Sequence, residues 1–168
     1  MSFSNPPLKR LASIFLQEEV QPKRGSIVYR KLGLAEHSGI FIAKQKIVQL
    51  SGTGYIEYVD YRRFCGSNPF NQMYVACDSE GRVLHSEAIA ERAERSVGQY
   101  RNYNLLLDNC HQFSAGCVTG DFENSDNFFV FLEHSIEQQF GVTLDWRFTS
   151  TFSSSDKPSC TRERIWFW

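Results

Sequence analysis

Cys110 stands in the stretch YNLLLDNCHQF, Tyr103 to Phe113, where the apolar run Leu105 to Leu107 stops at Asp108-Asn109. Three roles fit such a residue: a buried filler thiol, a metal ligand, or a nucleophile at the start of a helix. If a helix starts at Asn109, Cys110 lies in its first turn, where free N–H groups and the helix dipole stabilise a thiolate. The same N–H groups suit the oxyanion of an acyl intermediate. A thiol nucleophile also needs an imidazole, and the chain offers His37, His85, His111 and His134. His111 is adjacent, but neighbouring helical residues point about 100° apart, so it is a poor partner. His37 opens an apolar strand after Glu36, and Gln49 follows twelve residues later across a hairpin. The Gln49 side-chain carbonyl is suited to accept the second ring N–H of His37 and hold its tautomer. Cys110, His37 and Gln49 are thus the candidate nucleophile, base and orienter.

The elements that must position them form two blocks. The first is β-rich: a strand at Ser26 to Arg30, a second in HSGIFIAK and a third in QKIVQLSGTG. The short link Ala43-Lys44-Gln45-Lys46 makes the second and third an antiparallel hairpin. GYIEYVDYRRFC reads as further extended chain, and FNQMYVAC, residues 70 to 77, as another strand closed by the turn DSEG. After Gly81 the period becomes helical. SEAIAERAERSVG has Ser86 as cap and Gly98 as stop, and its charged side is a solvated face. NCHQFSAGCVTG is capped by Asp108 or Asn109 and ended by Gly120. DNFFVFLEHSIEQQFG is a third helix. The class is α+β, an antiparallel sheet packed against helices. Residues 1–24 read as an N-terminal extension with a short helix near Leu8 to Glu19. Residues 25–148 form the main domain, and 149–168 a tail with the polar run STFSSSDKPS and the apolar ending RIWFW.

Two stretches carry a family resemblance. RGSIVYR…EHSGIFIAKQKIVQLSGTG resembles the histidine box of the lecithin:retinol acyltransferase-like (LRAT domain) family. AIAERAERSVGQYRNYNLLLDNCHQFSAGCVTG is similar to its cysteine box. Together they span Lys23 to Gly120. The resemblance implies a permuted papain-like, NlpC-related fold in which the histidine precedes the cysteine. It also implies acyl transfer through a thioester on Cys110 with His37 as base. Gln49 occupies a position where well-known animal members have a second histidine. A glutamine orients an imidazole without carrying charge. Many members read Asn-Cys-Glu-His-Phe after the nucleophile position, whereas this chain reads Asn-Cys-His-Gln-Phe, so no catalytic role transfers to His111. The implied substrate is an acyl-bearing small molecule or lipid. Phe128, Phe129, Phe131 and the ending Ile165-Trp166-Phe167-Trp168 are candidates for peripheral contact with a membrane, or for packing on the domain.

Bulk properties narrow the alternatives. At 168 residues and 42% hydrophobic, the chain can build one real core. A net charge of −1 gives no electrostatic case for nucleic acid. No apolar run has membrane-spanning length, and the N-terminus lacks a long apolar core and a small-residue cleavage site. The five cysteines, Cys65, Cys77, Cys110, Cys117 and Cys160, are odd in number and form no CxxC pair. A reducing, cytoplasmic setting is therefore expected, with no cofactor. A zinc site on Cys110 and His111 fits no standard spacing. Cys117, two turns after Cys110, is expected to pack into the sheet, and Cys65, Cys77 and Cys160 to be inert. His85 and His134 read as surface or packing residues. Two other functions remain open: a binding or regulatory module that has lost turnover, and a cysteine peptidase or amidase.

Overall fold

The computed structural model describes residues 19–33, 35–66, 72–101, 109–125 and 128–149. The expected helix near Leu8 lies, but for Glu19, outside the described residues. So do the run Leu105 to Leu107, Cys160, and the tail beyond Thr149. The chain order is β1 (Ser26–Leu32), β2 (Ala35–Ala43), β3 (Lys46–Leu50), β4 (Ile56–Val59), α1 (Tyr61–Cys65), β5 (Met73–Asp78), α2 (Glu87–Ser96), α3 (Cys110–Thr119), α4 (Phe129–Phe140) and β6 (Leu144–Thr149). The strands form one antiparallel sheet in the order β4-β3-β2-β1-β5-β6. The α+β class, with an antiparallel sheet, follows the sequence reading.

Alternation along the strands sorts the side chains onto two faces. Ile27, Ile40, Ile42, Val48 and Leu50 pack with Ile89 and Ala93 of α2, Phe113 and Cys117 of α3, and Leu132 of α4. Val28, Ile47, Val59 and Val75 form the other face with Phe64 and Cys65 of α1. Phe64 and Phe113 are 0% exposed, one on each face. Burying each such side chain contributes about 1.5–3 kcal/mol. The β2–β3 hairpin closes as expected, pairing Ala43 with Lys46, with Gln45 at φ 64° in its turn.

Two elements differ from the sequence reading. The stretch read as extended through Cys65 breaks at Asp60, whose carboxylate accepts from the Arg63 amide at 2.7 Å and starts α1. An aspartate three residues before the receiving amide is a cap signal that strand alternation masked. Strand β6 was not anticipated. LDWRFT does alternate, but its residues are nearly all half-buried at the sheet edge, and it follows a helix directly. Its pairing with β5, Asp78↔Leu144 through Met73↔Thr149, makes β5 an inner strand.

Gly25 joins the sheet to the helix layer. Its N–H donates to the Phe41 carbonyl at 2.8 Å, and its φ is +80°. A Cβ there would lie 1.9 Å from the Ser86 carbonyl oxygen, just before α2. Gly33 has φ +65° with nothing within 4 Å of that position. Gly25→Ala is therefore expected to lower unfolding free energy by at least about 2 kcal/mol, and Gly33→Ala by only about 1 kcal/mol. Urea denaturation of the two variants checks the difference.

Candidate active site

Cys110 is the first residue of α3 because Asn109 ends the preceding chain as an effective cap. Its side-chain oxygen accepts from the amides of His111 at 2.9 Å and Gln112 at 3.2 Å. Between the two candidate caps, the structure selects Asn109. At the far end Gly120, at φ 89°, closes the helix. Arg92 Nη1 donates to the Cys117 and Val118 carbonyls at 2.8 and 3.0 Å, placing a cation at the negative end of the dipole. Helix α3 is almost wholly buried, as expected for Cys117, which is 0% exposed.

Ser38 ties the start of α3 to strand β2. Its hydroxyl donates to the Cys110 carbonyl at 3.0 Å and lies 2.9 Å from Ser114 Oγ and 3.0 Å from His111 Nδ1. The Cys110 sulfur sits in the same cluster. The amides of Ser38, Cys110 and His111 and the Ser38 hydroxyl all act to stabilise its thiolate. Burial acts more strongly in the opposite direction and holds the thiol above its ordinary value. The sequence expectation of a thiolate set by the helix start is corrected here. The donors are present, but at 4% exposure desolvation outweighs them.

His37 sits on β2 one residue before Ser38, so its ring projects to the opposite side, 5.4 Å from the Phe64 ring. Its Nε2 lies 2.8 Å from Gln49 Oε1. The Gln49 amide nitrogen donates to Glu57 Oε1 at 3.3 Å, which fixes the amide so that its carbonyl faces the imidazole. Arg63 then holds both Glu57 oxygens at 2.9 Å. With Nε2–H donated to Gln49, His37 keeps the lone pair on Nδ1. Burial lowers its affinity for a proton more than the Gln49 bond raises it, and the ring is neutral at neutral pH. Thus the structure brings His37 and Gln49 together as the sequence suggested. It makes no hydrogen bond between His37 and the Cys110 thiol.

One ring nitrogen at the edge of hydrogen-bonding reach of the thiol belongs to the residue the sequence reading set aside. His111 Nδ1 lies 3.9 Å from Cys110 Sγ. The 100° rule separates side-chain directions, but a ring in the first turn can fold back toward its neighbour's sulfur. Burial lowers the His111 pKa to about 4, and the charge of His37 adds to the effect. His111 packs edge-on against Phe129, 5.4 Å between centroids. Around this cluster, Phe128, Val130 and Phe131 are exposed, whereas Phe129 packs against the core. Among the described residues there is no group of three His, Cys, Asp or Glu that could hold a metal, and no helix long and apolar enough to cross a membrane. His134, on α4, bonds Gln138 at 2.7 Å.

Comparison with known families gives a match to part of the chain. Residues 68–123, which include Cys110 but neither His37 nor Gln49, match the model of the family described as Lecithin retinol acyltransferase. No curated protein matches the chain. The match covers a third of the chain; it supports an LRAT-domain protein and, at a coarse level, an enzyme of the acyltransferase or hydrolase kind.

The two depressed imidazoles make stability depend on pH. The unfolded chain takes up protons near pH 6.5, whereas the folded chain does not protonate His111 until about pH 4. Stability is therefore full above the unfolded value and falls as pH drops through this window. For His111 the loss is on the order of 3 kcal/mol. Urea melts across that range are expected to show a shallower decline in His111→Gln than in the unsubstituted chain.

Proposed function

We propose that this LRAT-domain chain is a cysteine acyltransferase or hydrolase acting on an acyl ester, with a lipid or other acyl-bearing small molecule as donor. The observation that carries the reading is the His37–Gln49 hydrogen bond of 2.8 Å, which leaves Nδ1 free on the strand whose next residue, Ser38, holds the start of the Cys110 helix. The fold proposed is the permuted papain-like one. Its support is the order of elements, with the histidine strand before the cysteine helix, and an antiparallel sheet packed on that helix.

In the proposed reaction, neutral His37 accepts the thiol proton as Cys110 Sγ attacks the ester carbonyl. The carbonyl carbon bonds to sulfur and its oxygen becomes an oxyanion, for which the amides around Sγ are suitable donors. Collapse breaks the C–O bond. His37 gives its proton to the leaving alcohol, and the acyl group stays on Cys110 as a thioester. Water or another nucleophile, deprotonated by His37, then takes the acyl group and the thiol is restored. A raised thiol pKa fits a nucleophile activated by a base within the reaction rather than stored as thiolate. The exposed Phe128, Val130 and Phe131 support peripheral contact with a lipid surface.

A second reading is a binding or regulatory module of the same fold. The missing His37–Cys110 hydrogen bond and the buried, protonated thiol favour it. The two separate with short-chain ester hydrolysis. An enzyme loses all turnover in Cys110→Ala. His37→Ala is expected to lower kcat/KM at least about a hundredfold, and His111→Ala less than about tenfold. Gln49→Ala falls between them. No Cys110-dependent hydrolysis in any folded form would leave the binding module standing.

A further inference from the structure

At the end of α3 farthest from Cys110, a cavity of about 750 Å³ opens between α2 and the chain that follows α3. A volume of this order holds a small ligand. Helix α2 supplies Arg92 and Arg95 to the wall, three residues apart and so on one face. Arg101 joins them from beyond α2, and Phe122 and Glu123 from beyond α3. Helix α3 has ten residues, a length of about 15 Å, so this cavity and the Cys110 thiol lie at opposite ends of one rod.

The wall is held in place by contacts made within the chain. Arg92 spends Nη1 on the Cys117 and Val118 carbonyls, and its Nε and Nη2 donate to no described residue. Arg101 Nη2 donates to the Phe122 carbonyl at 3.0 Å. The Phe122 ring occupies the notch that Gly116 leaves, where a Cβ would stand 2.5 Å from it, and this anchors the chain after α3. Burial raises the Cys117 pKa, and the charges of Arg92 and Arg101 both act against that rise, so the two guanidiniums stand together at this helix end.

The lining holds three guanidiniums and one carboxylate, Glu123. Arg92 pairs with no carboxylate among the described residues, and Arg95 meets only Glu91, at 3.8 Å and exposed. Like charges three residues apart are unfavourable for α2 by themselves. The negative end of the α3 dipole offsets roughly half a charge, which leaves an excess that one carboxylate ligand does not balance. A phosphate monoester carries about −1.5 to −2 and spreads it over three oxygens around one centre. Three guanidiniums arriving from separate positions suit that shape, whereas the two oxygens of a carboxylate lie in one plane. Ile56 and Phe122 are the only apolar side chains in the lining, so the body of the ligand is small and polar.

We propose that this cavity binds a small, soluble phosphomonoester at a site separate from Cys110. Arg92, Arg95 and Arg101 take the phosphate oxygens, and Glu123 accepts from a hydroxyl of the same molecule. The site does not depend on the reaction assigned to the thiol.

Isothermal titration of the full chain with glycerol 3-phosphate tests the site, with malonate as a dianion that lacks phosphate. Saturable one-to-one binding is expected for glycerol 3-phosphate, and malonate is expected to bind at least about tenfold more weakly. Arg95→Gln removes an exposed side chain and is expected to weaken binding at least about tenfold. Arg92→Gln is expected to do the same, with thermal melts confirming its fold. Lys44→Gln, in the β2–β3 turn, removes the same charge elsewhere and is expected to change nothing. Cys110→Ala is likewise expected to bind as the unsubstituted chain does. The proposal is overturned by an absence of saturable binding, by malonate binding as tightly, or by an unchanged affinity in Arg95→Gln. An equal loss in Lys44→Gln would reduce the effect to overall charge, and a loss in Cys110→Ala would move the anion to the other end of α3; either sinks it. Retention on phosphatidic acid vesicles that glycerol 3-phosphate does not compete away would assign the phosphate to a lipid surface and overturn the soluble ligand.

Discussion

The Ser38 hydroxyl holds the start of α3 against the sheet, and the arrangement of the site depends on it. It reaches the Cys110 carbonyl, Ser114 and His111 from one side of β2, while the preceding residue, His37, faces the other side. One strand therefore separates two imidazoles and places the thiol near its N-terminal end. The register of β2 on β1 and β3 decides which residues share each side. A slip by one position would exchange Ser38 with His37 and separate Gln49 from the ring. The apolar residues keep that register: Ile40 and Ile42 belong to the helix-facing core, and a slip would move them away from Phe113 and Leu132.

Much of this was legible because it rests on local rules. Alternation located β1 to β3, and the short link Ala43 to Lys46 required the hairpin. Asn109 and Gly120 bounded α3 through capping chemistry, and the separation of His37 from Gln49 was enough to suggest that they meet. What was not legible depended on tertiary context. Asp60 looked like part of a strand until the Arg63 amide turned onto it. Strand β6 gains its place from β5, a partner far back in the sequence. The state of the Cys110 thiol was read from the helix start alone, because sequence shows which donors are near but not how much water is lost. His111 was dismissed on side-chain direction, yet burial and ring size bring its nitrogen toward the sulfur.

The substitution of glutamine for a second histidine also takes on a different meaning once its surroundings are known. Gln49 is the middle of a chain from Arg63 through Glu57 to His37. The carboxylate that a neutral orienter lacks is present one residue further back, balanced by a guanidinium. Gln49 transmits orientation from that ion pair without itself titrating.

The burial of Cys110 also bears on chemical durability. Peroxide attacks thiolates, and oxidation to sulfenic acid and beyond follows thiolate character and exposure. A sulfur 4% exposed, with its pKa held up by burial, presents little of either. Cys65, Cys77 and Cys117 are likewise buried, with burial as the leading cause raising the pKa of each. The four described cysteines thus hold their thiols in the protonated form, and under the proposed mechanism a thiol that becomes reactive only when a base takes its proton is protected from oxidants in the interval between reactions.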